Sequence, residues 1–137
     1  MSYEIPIEQG KIREFARAAG SSNPAYDGSD AVIPPTFLTT AGNFWASGDD
    51  RPRGELGFEL ARLLHGEEEY EFFGPLPRAG QVLSVSSRLG DRWEKEGKRG
   101  GTMRFAKIIT EYRDENGALV AEQRTTVIET AKPPQEG

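Results

Sequence analysis

The chain has 137 residues, 22 acidic against 17 basic side chains for a net charge of −5, and no cysteine. That length supports one domain around a single core. The acidic balance argues against nucleic acid or an anionic membrane as main partner, and the missing thiols exclude disulfides and thiolate catalysis and weaken any case for zinc.

The first residues, Met1 to Pro6, have neither the basic nor the apolar region of a leader peptide, and no apolar run approaches the roughly 20 residues that span a bilayer. Together with the absence of thiols this fits a cytoplasmic protein. Ile12, Phe15, Ala16 and Ala19 recur at helical spacing, opposite Lys11, Arg13, Glu14 and Arg17. The pattern predicts an amphipathic helix over residues 8–19, stopped by Gly20. Residues 21–33 read as loop, with Asn23-Pro24 and Asp27-Gly28 as turn signals. Residues 36–46 hold Phe37, Leu38, Ala41, Phe44 and Trp45, the composition of a buried helix with Pro35 in its first turn. A polar break follows at 47–55, then a short helix or irregular piece near 57–64.

From Glu67 onward the signals are those of strands: 67–73, 82–89, 103–113 and 119–130. In the second of these Leu83, Val85 and Leu89 share a face, opposite Ser84, Ser86 and Arg88. Residues 93–102 read as an extended hairpin connection, and Asn116-Gly117 marks a tight hairpin between the last two strands. Residues 1–131 therefore form one α+β domain, and 132–137 a flexible polar tail.

Gly20-Ser21-Ser22-Asn23-Pro24-Ala25-Tyr26 resembles the hydratase-2 signature, Gly-Asp-x-Asn-Pro-x-His, of the MaoC-like (R)-specific enoyl-thioester hydratases and dehydratases. Supporting pieces occur in the same order: residues 11–16, Pro34-Pro35-Thr36-Phe37, residues 64–70 and Arg78-Ala79-Gly80. The chain is most similar to the N-terminal, fatty-acid-synthase-like dehydratase domains of that group. The resemblance implies a single hot-dog domain, a curled antiparallel sheet wrapped around a central apolar helix formed by 36–46. It also implies a lyase reaction, reversible hydration of a trans-2-enoyl thioester carried by coenzyme A or an acyl carrier protein, fatty or sterol-derived. No redox cofactor or metal is implied. Such chains work as homodimers or as heterodimers in which one half carries the chemistry.

In the family the signature Asp and His hold and activate the water. Here Ser21 and Tyr26 occupy those positions. A serine hydroxyl has no useful pKa near neutrality, and a tyrosine near 10 is a poor base. Asp27 is one residue off the motif. The resemblance thus implies a loop that keeps its shape without its acid–base pair, and a chain that is the non-catalytic, pocket-forming half of a hydratase. A non-catalytic homodimeric acyl-thioester binder, and an active homodimer using other residues, remain alternatives. The expected pocket residues are Asn23, Pro35, Thr36, Phe37 and Trp45. Asn23 also fits a plain helix-ending turn, Thr36 a plain cap, and the aromatics a core. His65, the only histidine, is expected before the first of these strands and outside the loop, as a hydrogen-bonder or a catalytic group. The acidic run Glu67, Glu68, Glu69 and Glu71 is expected at a solvated edge, split between two faces by strand alternation. Arg92, Lys95, Lys98, Arg99 and Arg104 fit either a solvated hairpin tip or a contact for coenzyme A phosphates or an acidic carrier.

Overall fold

The computed structural model describes residues 2–132. Most of the tail, from Pro133 on, lies outside the described residues. Helix α1 (Gln9–Ala18) forms where the periodicity placed it, with Ile12 and Ala16 buried. Phe15 meets Phe37 edge-on, with ring centroids 5.6 Å apart at 74°. Gly20 ends the helix with φ at 76°, a left-handed value that glycine adopts without steric cost. The chain then folds back so that the Ser21 N–H donates to the Ala16 carbonyl at 2.9 Å.

Five antiparallel strands make one sheet: β1 (Ser2–Pro6), β2 (Leu63–Phe72), β3 (Val82–Glu96), β4 (Thr102–Arg113) and β5 (Leu119–Glu129), in the order β1-β3-β4-β5-β2. This is the α+β, single-sheet architecture expected. Two strands differ from the sequence reading. β1 is too short and too near a proline to show a pattern, yet it pairs Ser2–Pro6 with Val82–Ser86 as an edge strand. β3 runs on through the supposed connection to Glu96, after a bulge between Leu89 and Arg92, so the turn shrinks to residues 97–101.

The larger correction concerns 36–46. These residues do not form a regular buried helix. They make tight turns and then a single π-helical turn, Ala41–Trp45. Phe37, Leu38 and Ala41 are buried, but Phe44 and Trp45 are 68% and 41% exposed. Gly42 and Asn43 are weak helix formers, three threonines crowd the first turn, and no side chain caps the start. The central helix of the expected architecture is reduced to a short strap across the sheet.

The inward face carries two separate apolar clusters. One gathers Ile5, Ile12, Ile33, Phe37, Leu83 and Val85 with their neighbours. The other joins Leu56, Ala106, Ile108 and Val127, covered by Phe58, Leu63 and Leu89. Between them runs a band that is not apolar. Among the described residues no helix is long and apolar enough to cross a membrane.

Candidate functional site

The pairing register lays the inward side chains out in rows across the sheet, because directly opposed residues share a face. One row is apolar at both ends: Val85, Tyr112, Ala121 and Phe72. The next is polar throughout: Ser87, Thr110, Gln123 and Tyr70. The third is mixed: Leu89, Ile108, Thr125 and Glu68. A bulge at Gly66 then brings His65 opposite Val127, so that His65 and Glu68, three apart in sequence, face the same side. Gly66 suits this place: a Cβ there would lie 2.7 Å from Cδ1 of Ile128.

Around Gln123 and Glu68 the polar side chains form one network, with Ser87 and Thr110 as a separate pair beside it. The buried Tyr112 hydroxyl lies 2.5 Å from Gln123 Oε1 and 3.1 Å from the Leu38 carbonyl of the strap. Gln123 Nε2 donates to Glu68 Oε1 and, at 3.2 Å, to the Tyr70 hydroxyl. Thr125 donates to the same Glu68 oxygen at 3.0 Å, and the other oxygen is 2.5 Å from His65 Nε2. Ser87 and Thr110 pair their hydroxyls at 2.8 Å. Burial, and then neighbouring tyrosines and Glu68, push the Tyr112 phenol well above its ordinary range. Burial and the Glu68 charge do the same to Tyr70. Tyr3 is pushed up to about 12 by burial and then by Asp50, with Arg51 opposing. All three phenols are therefore protonated at neutral pH.

The network walls a cavity of about 450 Å³ between the sheet and the strap. Its mouth is framed by residues 50–53. Ser47 and Asp50 close a capping box there, with the Ser47 N–H donating to Asp50 at 3.0 Å and its hydroxyl at 2.7 Å. Arg51 donates to the Gly42 carbonyl at 2.7 Å and so ties the mouth to the strap. The far end of the covering segment is pinned by Glu129, which is 3% exposed. Its carboxylate accepts from the Glu59 N–H at 2.5 Å and from Arg104 at 2.6 and 2.8 Å. The Glu59 N–H and then Arg104 hold this carboxyl below its usual range, although burial works against them.

The loop that carried the sequence argument is elsewhere. Ser21, Asn23 and Tyr26 do not line this cavity. The Ser21 hydroxyl accepts from the Asn23 N–H at 3.3 Å, and Asn23 Oδ1 accepts from the Ala25 N–H at 3.0 Å, capping a 3-10 turn at Pro24–Tyr26. Tyr26 packs on the first apolar cluster. Of the expected pocket residues only Thr36 lines the cavity. Phe37 is core, 1% exposed, while Pro35 and Trp45 face solvent outside it. His65 does not precede the strand: it stands inside β2, in the cavity wall. The acidic run is indeed split, but not into two solvated faces. Glu69 and Glu71 hold Arg124 on the outer side, whereas Glu68 turns inward. The basic segment lies partly in β3 and β4, where Lys95 sits over the Phe105 ring and Arg104 is engaged by Glu129.

Sequence reading missed Glu68, Gln123, Thr110 and Ser87. The available signal was the polar alternation Gln123, Thr125 in β5, which reads equally well as a solvent face.

The chain matches the family model described as the FAS1-like dehydratase domain region over residues 2–123. It belongs to that family. A UPF0336 protein of Streptomyces griseus is 30% identical over 95% of this chain and 87% of its own length. A UPF0336 protein of Streptomyces coelicolor is 36% identical over 64% of this chain, and the matched stretch spans 61% of that relative. Among solved structures, the C-terminally truncated HadBC (3R)-hydroxyacyl-ACP dehydratase complex of Mycobacterium tuberculosis superposes with a TM-score of 0.73 at 20% identity, covering 93% of this chain and 94% of that one. The ChsH1-ChsH2 complex of the same organism gives 0.73 at 23% identity, covering 96% and 86%. The architecture is thus that of the MaoC-like hot dogs.

Proposed function

We propose that this chain is the pocket-forming, non-catalytic half of an (R)-specific enoyl-thioester hydratase, paired with a hot-dog subunit that carries the Asp and His. The observation that carries this reading is the state of the signature loop. Hydration needs a base to take a proton from water, an acid to protonate the α-carbon, and donors for the developing enolate oxygen. At Ser21 and Tyr26 the loop offers no titratable pair for neutral pH, and its Ser21 and Asn23 oxygens are engaged by their own backbone. The loop has become a turn. What the chain does offer is a chamber of about 450 Å³ between the sheet and the short strap. Two similar structures described as two-component complexes lend the pairing support.

On this reading the partner activates the water and this chain receives the acyl group of a coenzyme A or acyl-carrier-protein thioester. Thr36 stands at the cavity wall, near the start of the strap. The reaction itself is redox-neutral, with the water oxygen bonding to the β-carbon and a proton going to the α-carbon. It requires no redox cofactor.

One observation favours a second reading. His65 and Glu68 bring an imidazole and a carboxylate within 2.5 Å of each other at a cavity wall, the groups that acid–base chemistry uses. If they act, the chain alone is a hydratase. The test is hydration of a medium-chain enoyl-CoA by the purified chain, and by the chain co-expressed with hot-dog subunits bearing Asp-x-Asn-Pro-x-His. The proposal expects turnover only from the complex. Turnover by the isolated chain that disappears in His65→Ala would overturn it in favour of the second reading.

A further inference from the structure

We propose that the chamber selects acyl thioesters whose chain carries a hydroxyl or keto oxygen beyond the β-carbon, over plain alkyl chains of the same length. This rests on the reading of the chamber as an acyl pocket and goes further, to the chemistry of the chain it holds. The ground is the composition of the wall. Pockets for small apolar ligands are lined mainly by hydrocarbon, with a few placed polar groups. Here only Ala46, Pro52 and Ile108 contribute purely hydrocarbon side chains, and the rest of the hydrocarbon wall comes from the rings and stems of polar residues. Across the floor runs the polar row Ser87, Thr110, Gln123 and Tyr70, on adjacent strands and in direct register.

The row lies between the two apolar clusters, which flank it on either side along the strands. It is not fully satisfied internally. Gln123 is committed to Tyr112, Glu68 and Tyr70. The Ser87 and Thr110 hydroxyls, 2.8 Å apart, are bonded to each other. One of them donates and the other accepts, so one hydroxyl proton is left without an acceptor among the described residues. It belongs to a pair that lines the cavity. An acyl oxygen placed there accepts that proton, and a hydroxyl on the ligand also has a lone pair of Ser87 or Thr110 to donate to. A plain methylene chain in the same place displaces water and leaves that one hydroxyl proton without an acceptor, the kind of arrangement that discriminates against a ligand lacking the group.

The experiment is calorimetric titration of the purified chain with decanoyl-CoA and with a set of decanoyl-CoA analogues, each bearing one hydroxyl or one keto group at successive chain positions from the fourth carbon outward. The expected result is that at least one oxygenated analogue binds about tenfold or more tightly than the plain chain. The double variant Ser87→Ala, Thr110→Val, which keeps strand-compatible side chains of similar size, should remove that preference while still binding decanoyl-CoA. Equal or tighter binding of plain decanoyl-CoA by the unaltered chain overturns the inference and leaves the acyl-pocket reading standing. A preference that survives in the double variant overturns the assignment to this row. Binding of neither kind of ligand defeats the acyl-pocket reading, and the inference with it.

Discussion

The loop at residues 21–26 and the inward face of β5 stand in opposite relations to the primary structure. The loop is recognisable at once, because Gly20, Asn23 and Pro24 keep the spacing of a signature. Its polar atoms are nonetheless engaged locally, Ser21 with Asn23 and Asn23 with Ala25. β5 carries no recognisable motif, yet Gln123, Thr125 and Glu129 on one face reach Glu68, Tyr70, Tyr112 and Arg104 from two other strands. A motif preserves backbone shape through residues close in sequence. The chemistry of a cavity is assembled by register between strands, over separations from 11 residues, Tyr112 to Gln123, up to 57, Glu68 to Thr125.

The sharpest test of that contrast is Phe37, an expected pocket residue that belongs to the core. It is 1% exposed, and it meets Phe15 of α1 edge-on. Phe37→Ala should cost about 3–5 kcal/mol in chemical denaturation, the range for truncating a buried phenylalanine. A loss below about 1 kcal/mol would mean that the side chain borders open space and is a pocket wall after all.

The second test addresses the β5 side. Glu129 is buried, and its carboxyl is held below the usual range by the Glu59 N–H and then by Arg104. A group whose folded pKa is depressed contributes stability above its unfolded value, near 4.5, and that contribution is lost as pH falls through the folded value. Glu129→Gln should therefore cost about 1.5–3 kcal/mol at neutral pH, from the charge-assisted bonds to Arg104 and Glu59, and should flatten the acid limb of the stability curve. Melting followed from neutral pH down to pH 3 checks both. An unchanged acid limb would show that Glu129 does not carry it.

How much was legible follows from which interactions are local. The periodicity of Ile12, Phe15 and Ala16 fixed α1, and Asn116-Gly117 fixed the β4–β5 hairpin, since both signals lie within a few residues. β1 was invisible, because five residues ending in proline show no alternation and form a strand only against Val82–Ser86. The strap was misread because apolar content dominates a helix reading, while Gly42 and Asn43 and the lack of a cap decide whether a helix lasts. His65 and Glu68 were set apart because the strand was read as starting at Glu67, after His65; β2 starts at Leu63, and the bulge at Gly66 that puts the two on one face leaves only a glycine as its trace.

The smallest expected effect belongs to the feature most visible in the sequence. Asn23 caps the 3-10 turn at Pro24–Tyr26 by accepting from the Ala25 N–H, and its side chain is exposed. Asn23→Ala removes that bond but leaves Pro24 to restrict the backbone, so the loss should be about 0.5–1 kcal/mol. Because Asn23 does not line the cavity, binding of any acyl thioester to the isolated chain should change by less than about twofold, a few tenths of a kcal/mol. Thermal melting and ligand titration of the same variant separate the two expectations. A clear loss of binding with intact stability would return the loop to the pocket and reverse the contrast with β5, because only contact with ligand lets an exposed turn residue act on affinity without acting on the fold.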